Sequence, residues 1–216
     1  PVDSPAFYPH TENLSTCPPL PFFPLSGILC SVDRESEGSR TMETPAFRRE
    51  TACSFTGHRP GRLPGGYAAW HTPSSPLRFW IRKALEEAYM DGYRDFVCGM
   101  ALGADTLAAE EVLAMRERRP AVRLIAALPC PGQEARWPLA DKERYRALLA
   151  QAGLCVTACP AYTPYAMHAR NRWMVEHTSR LIAIFDGSPG GTAHTVRLAE
   201  ARGLDICFLS PDSLAP

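Results

Sequence analysis

Three glycine-rich segments of this sequence combine a permissive backbone with arginine, histidine or carboxylate side chains. They span residues 56–62, 99–105 and 186–192. Glycine lets the main chain turn tightly and approach a ligand without a Cβ in the way. Backbone N–H groups at such turns, together with cationic side chains, are typical of sites that hold a phosphate. The chemistry expected here is therefore the binding of a phosphate-bearing small molecule.

The first segment directly follows a predicted strand and contains side chains that could bind a ligand. Pro60 restricts the backbone of Arg59 and fixes the direction in which that side chain leaves, which favours a binding role for Arg59. For Arg62 we expect a solvated side chain at a turn. The candidate ligand-binding residues of this segment are Thr56, Gly57, His58 and Arg59.

The second segment places Gly99 and Gly103 between a predicted strand and a predicted helix. This spacing is similar to the phosphate-binding turns of dinucleotide folds, but a glycine pair alone is a weak signal, and Gly103 could instead permit close helix–sheet packing. Asp105 also has two possible roles. It is either an acceptor for ribose hydroxyls or a carboxylate favoured by the first turn of a helix.

The third segment follows the most apolar predicted strand and is the best-supported binding loop. This short connector contains three glycines besides a proline, and glycine loses the most conformational freedom on folding. Ordering these residues in a loop that served only as a connector would therefore be costly. The helix before this strand adds consecutive polar residues, of which only one or two can face the sheet end. The candidates from both places are Asp186, Gly187, Gly190, Gly191, Thr192, Arg170 and Asn171.

The elements that position these segments alternate between apolar strands and amphipathic helices. Strands are predicted at 52–56, 95–98, 122–128, 154–158, 181–185 and 206–209, and helices at 76–91, 104–118, 139–152, 166–177 and 192–202. The alternation predicts a single Rossmann-like α/β domain over 51–210, with a mostly parallel sheet and helices on both faces. In such sheets ligands bind at the carboxyl ends of the strands, where all three segments lie.

The ends of the chain have a different character. Residues 1–50 are rich in Pro, Ser and Thr and are predicted to be a disordered or loosely packed extension, and residues 211–216 a short tail. The sequence does not begin with methionine, and Met42 is a candidate natural start, because the patterned domain begins about ten residues later.

Composition excludes several classes of function. Lys+Arg and Asp+Glu both number 23, so the formal net charge is zero, which argues against a protein that coats DNA or a membrane. No apolar run approaches the ~20 residues that span a bilayer. The eight cysteines lack zinc-site spacing, and Cys53, Cys98 and Cys207 fall in apolar strands. We therefore expect a cytoplasmic protein with free thiols and no bound metal.

In combination and in order, the motifs resemble the YpsA-like branch of the SLOG superfamily. The matching stretches are SFTGHRP (54–60), GMALGAD (99–105), RNR (170–172) and DGSPGGT (186–192). The resemblance covers nearly all of 51–209. It implies a Rossmann-like fold and the binding or sensing of a nucleotide-derived ligand such as NAD or ADP-ribose, with a link to bacterial cell division or stress signalling for some members. It also implies that Gly103 and Asp105 are functionally sensitive positions.

Two relatives of that branch supply alternative functions. The LOG-type phosphoribohydrolases carry a catalytic glutamate in their Pro-Gly-Gly-x-Gly-Thr-x-x-Glu motif. Here Pro189-Gly190-Gly191-Thr192 is followed by no carboxylate until Glu200, so we assign no catalytic residue. We further expect Asp105, at a helix N-terminus, to titrate low and to be a poor general acid. The second relative, DprA, implies single-stranded DNA binding, which zero net charge disfavours. Homodimer formation is left open.

Overall fold

The computed structural model describes residues 48–69, 71–73 and 75–211 of the 216-residue chain. Most of the predicted N-terminal extension, the candidate start Met42 and the residues after position 211 lie outside the described residues. Within the described part, a short 3-10 helix, Arg49–Thr51, precedes the first strand.

Six parallel strands form one sheet in the order β4-β3-β2-β1-β5-β6. The predicted strands are all present, and their ends differ from the predictions by one residue or none. Their bounds are β1 Ala52–Gly57, β2 Asp95–Cys98, β3 Arg123–Leu128, β4 Leu154–Thr157, β5 Arg180–Ile184 and β6 Asp205–Leu209.

The five predicted helices are also present, and the sequence pattern missed only short elements. The four-residue helix Gly66–Ala69 and the 3-10 helices Arg49–Thr51 and Pro60–Arg62 are too short to show a helical period. The α-helices are α1 Gly66–Ala69, α2 Pro76–Met90, α3 Ala104–Arg118, α4 Leu139–Leu149, α5 Ala166–Glu176 and α6 Gly191–Ala201.

Alternate side chains along each strand divide the core between the two faces of the sheet. Phe55 and Phe96 belong to the larger cluster, which packs against α2, α3 and α4. Val97 and Leu181 point to the opposite face, where they pack in smaller clusters with residues of α5 and α6. Helices therefore cover both faces, and the predicted single Rossmann-like α/β domain is confirmed.

The chain order within the sheet creates one place suited to a ligand. Strands β1 to β4 run successively to one side of β1, whereas β5 returns to the other side of it. The connections above β1 and β5 therefore diverge and leave a crevice at the carboxyl ends of these strands, the topological switch point where ligands bind in open α/β sheets. None of the described helices is both long and apolar enough to cross a membrane.

Candidate functional site

A cavity of about 450 Å³ occupies the crevice above β1 and β5, and we call it the switch-point cavity. All three glycine-rich segments and the start of α5 contribute to its walls. Ten of the predicted site residues line it: Thr56, Gly57, His58, Arg59, Asp105, Arg170, Asn171, Gly190, Gly191 and Thr192. The tertiary fold thus brings together residues separated by up to 136 positions in the sequence.

Four predicted site residues lie outside this lining: Gly99, Gly103, Asp186 and Gly187. Gly99 and Gly103 are needed for packing behind the wall of the cavity. A Cβ on Gly99 would lie 1.4 Å from Nη1 of Arg170, and a Cβ on Gly103 would lie 2.5 Å from the backbone oxygen of His58. Gly103 also has a φ of +101°, which L side chains rarely adopt. The packing interpretation of Gly103 is therefore the one that the geometry favours.

Two polar side chains, His58 and Arg62, tie the loop after β1 to the loop after β5. The Nε2 atom of His58 lies 2.7 Å from Oδ1 of Asp186, and the imidazole is almost fully buried. Arg62 donates from Nη1 to the Ser188 hydroxyl at 2.6 Å and to the Pro189 carbonyl at 3.3 Å. Arg62 is exposed, as expected, and the tertiary fold also places the third segment within its reach, a contact that the sequence did not predict.

Asp186 supports the third segment from outside the cavity. Its carboxylate accepts hydrogen bonds from the Ser188 side chain and from the Ser188 N–H, the latter at 2.8 Å, and these bonds, aided by His58, lower the pKa of Asp186 to about 2. The group is therefore ionised at neutral pH. Its hydrogen bonds hold the loop that follows β5, and its role in ligand binding stays a prediction.

Asp105 is a buried carboxylate at the first turn of α3. It is 7% exposed, accepts a hydrogen bond from the Ala101 N–H at 3.2 Å and lies 3.5 Å from Nη1 of Arg170. Burial raises the pKa of Asp105 above its ordinary value, although Arg170 and the Ala101 N–H oppose the change. The expectation of a low pKa is wrong, because the loss of water around the carboxylate outweighs the helix N-terminus.

Arg170 is a buried cation whose hydrogen bonding is incomplete. Its side chain is 7% exposed, and burial lowers the pKa of the guanidinium. Nη1 reaches Asp105 only at 3.5 Å, Nη2 lies 3.9 Å from the Met167 sulfur, and Nε has no hydrogen-bond partner among the described residues. A guanidinium carries five N–H donors, so these contacts leave part of the hydrogen-bonding capacity of Arg170 unused, and the residue lines the cavity.

The third segment forms another part of the wall, at the N-terminus of α6. No side chain of the described residues caps this end of α6, and the first turn of a helix has backbone N–H groups without helical partners. A Cβ built on Gly187, Gly190 or Gly191 would meet no described atom within 4 Å. Packing therefore does not explain why glycine occupies these positions.

Several cavity-lining residues were not predicted from the sequence, because they lie outside the glycine-rich segments or carry apolar side chains. Tyr67 comes from the short helix α1, and Met167 and His168 come from the first turn of α5. The ring of His168 packs edge-to-face on His194 of α6 at 4.8 Å between centroids. Asn171, which was predicted, donates to the Thr195 hydroxyl at 2.8 Å and so also joins α5 to α6.

The segment order found here is that of a known family. The family model YpsA, described as the YspA SLOG family, matches residues 53–209. The chain belongs to this family. A UPF0398 protein of Bacillus pumilus is 31% identical over 165 residues, which cover 74% of this chain and 88% of the relative. The UPF0398 protein YpsA of Bacillus subtilis is 30% identical over 149 residues, which cover 63% and 82%. The resemblance stated from the motifs is confirmed.

Two solved structures share the fold of this SLOG family member. One is from work on the single-stranded DNA binding mode of DNA processing protein A from Helicobacter pylori, with a TM-score of 0.52 and 20% identity over 73% of this chain and 64% of that chain. The other is DprA from Streptococcus pneumoniae, with a TM-score of 0.52 and 18% identity over 73% and 49%. This chain therefore spans less than two thirds of either neighbour, and the likeness supports the fold alone.

Proposed function

We propose that this protein binds a phosphate-bearing, nucleotide-derived small molecule in the switch-point cavity and acts as a sensor of it. The observation that carries the proposal is Arg170, a buried guanidinium that lines the cavity and whose Nε has no hydrogen-bond partner among the described residues. A buried cation is costly unless an anion and further hydrogen bonds accompany it. Asp105 at 3.5 Å supplies only part of that compensation, and an anionic ligand would supply the rest.

The charge of the lining supports an anionic ligand. Arg59, Arg62 and Arg170 line the cavity, whereas Asp105 is the one carboxylate among its described lining residues. The start of α6 adds backbone N–H groups and the positive end of a helix dipole to the lining. A volume of about 450 Å³ lies within the usual range for small-molecule sites.

A sensing role in the cytoplasm is part of the proposal. The six cysteines of the described part form no disulfide with one another, as expected in a reducing compartment. Sensing is favoured over catalysis because the loop that begins at Pro189 lacks the glutamate of the LOG-type motif, and Glu200 is exposed and does not line the cavity.

Thermal unfolding of the full chain tests the proposal. A ligand that binds only the native state raises the melting temperature, by the equivalent of roughly 2.7 kcal/mol at a hundredfold excess over Kd. We expect AMP, ADP-ribose, NAD or a cyclic dinucleotide to raise it, and adenosine, which lacks phosphate, to have little effect. If every phosphate compound leaves the melting temperature unchanged, the proposal fails.

Two exposed arginines provide a matched pair of variants for that measurement. Arg59 lines the cavity, whereas Arg172 on α5 does not. We expect Arg59→Ala to reduce the ligand-induced rise and Arg172→Ala to leave it intact. Equal effects would indicate unspecific attraction of the phosphate to surface charge.

An enzymatic alternative has one observation in its favour. Burial raises the pKa of Asp105, and a carboxyl group with a raised pKa can donate a proton to a leaving group such as a nucleobase. Incubation with nucleoside monophosphates and detection of free base by chromatography tests this alternative. Base release that disappears in Asp105→Asn would favour hydrolysis over sensing.

A second alternative comes from the fold neighbours, one of which is described by its single-stranded DNA binding mode. Arg59, Arg62 and the exposed Tyr67 lie together on this edge of the sheet, and basic and aromatic side chains are the groups that hold single strands. Retention of an oligonucleotide that falls steeply as salt increases would support this alternative.

A further inference from the structure

A second, larger cavity adjoins the switch-point cavity along the same edge of the sheet. Its volume is about 850 Å³, and the segment 130–138, which follows β3, forms most of its wall. Arg59, Tyr67 and Met167 line both cavities, so the two spaces meet at these side chains. We call the larger space the β3-side cavity.

The loop between β2 and α3 stands between the two cavities. Ala101 lines the switch-point cavity, and the next residue, Leu102, lines the β3-side cavity. Met100 has a φ of +56°, the one positive value for a non-glycine residue in the described ranges, and its carbonyl accepts a hydrogen bond from Gln133 Nε2 at 3.1 Å. Backbone strain of this kind clusters at ligand sites, where the surroundings hold it in place.

The β3-side cavity combines aromatic and cationic side chains. Tyr67 and Tyr162 are each 70% exposed, and Trp137 packs edge-to-face on Tyr145 with ring centroids 5.3 Å apart. Arg136 adds a positive charge, and no carboxylate belongs to the lining as far as the described residues go. Planar rings and arginine are the groups on which nucleobases stack.

We propose that the β3-side cavity receives the base-bearing end of a two-part, dinucleotide-type ligand. This inference rests on the proposed function, because the other half of the same ligand occupies the switch-point cavity. Arg59, at the junction, contacts the phosphates that join the two halves, and Tyr162 provides a stacking surface for the base. Each cavity has a volume in the range typical of small-molecule sites.

Calorimetric titration of the full chain with AMP, ADP-ribose and NAD tests this inference. We expect NAD to bind at least about tenfold more tightly than AMP, because a second base gains a stacking partner. Tyr162→Ala removes most of that advantage and leaves the affinity for AMP unchanged. Tyr165→Ala is the matched control, since Tyr165 is also exposed but lines neither cavity.

The possible results separate the inference from the function on which it rests. If AMP binds and NAD binds no more tightly, the β3-side cavity takes no second base, although the proposed function stands. If Tyr162→Ala weakens AMP and NAD equally, the assignment of the cavity is wrong. If none of the three compounds binds, this inference fails, and the proposed function fails with it when the cyclic dinucleotide does not bind either. Displacement of bound NAD by an oligonucleotide at far lower concentration would overturn the inference in favour of single-stranded nucleic acid.

Discussion

The segments 99–105 and 186–192 look alike in sequence but use glycine for opposite reasons. In the first, a Cβ on Gly99 would overlap the Arg170 guanidinium, and one on Gly103 would meet the backbone of the β1 loop. In the second, a Cβ on Gly187, Gly190 or Gly191 would enter open space. Packing therefore leaves no room for a side chain at the glycines of one segment, whereas neighbouring atoms would not exclude a side chain at those of the other.

The largest expected effect is a loss of folding stability when Gly99, which packs behind the cavity, is replaced. Gly99→Ala would place a methyl group 1.4 Å from Nη1 of Arg170 and 2.7 Å from an Asp105 carboxylate oxygen, so the buried Arg170–Asp105 pair must shift. Complete loss of one partner of a buried pair costs about 3–5 kcal/mol, which is the upper limit for this displacement. Urea denaturation followed by circular dichroism measures the loss. A free energy of unfolding within about 1 kcal/mol of the wild type, comparable to the uncertainty of the extrapolation, would contradict the packing role of Gly99.

The next largest effect is expected on nucleotide binding, without a change in folding stability, when Gly191 is replaced. Gly191 begins α6 with open space around its Cα, so Gly191→Ala should leave stability within about 0.5 kcal/mol of the wild type. The added methyl group would keep a phosphate from the backbone N–H groups, and we expect roughly tenfold weaker binding, or about 1.4 kcal/mol. Nucleotide titration provides the test. Undiminished affinity would show that the ligand does not approach this turn.

A smaller effect isolates backbone conformation from packing. Gly187 has a φ of +85°, and an added methyl group there would meet no described atom within 4 Å, so Gly187→Ala introduces strain without a collision. The left-handed conformation costs a non-glycine residue about 1–2 kcal/mol. The denaturation midpoint measures this cost, with Gly191→Ala as the control. A loss as large as that of Gly99→Ala would mean that the third segment is as tightly packed as the second.

The smallest expected effect is a change in folding stability at acidic pH, caused by Asp186. The pKa of Asp186 is about 2 in the folded protein, below its ordinary value of 3.8, so ionised Asp186 favours folding. This contribution is fully present above about pH 4 and is lost as the pH falls toward 2. Asp186→Asn should therefore be less stable than the wild type near neutral pH, and the difference should shrink through this window. If the difference in stability between Asp186→Asn and the wild type did not change with pH, the charge of Asp186 would not be its cause.

The fold was largely predictable because its signals are local. β3 and β5 are short apolar runs, as buried parallel strands require, and α2 begins at Ser75-Pro76 with an apolar stripe behind it. The short helix α1 escaped prediction because four residues show no period. The cavity-lining role of Tyr67 escaped prediction with it.

The sequence by itself determined the order of strands and helices, the family, and the three segments that meet at the carboxyl edge of the sheet, because these depend on periodicity and on glycine placement along the chain. Only the tertiary structure decided which glycines have packed atoms beside them and which have open space, that Arg62 bonds to Ser188, and that burial raises the pKa of Asp105. Those properties depend on the loss of water and on contacts between residues far apart in the chain, such as Asp105 and Arg170.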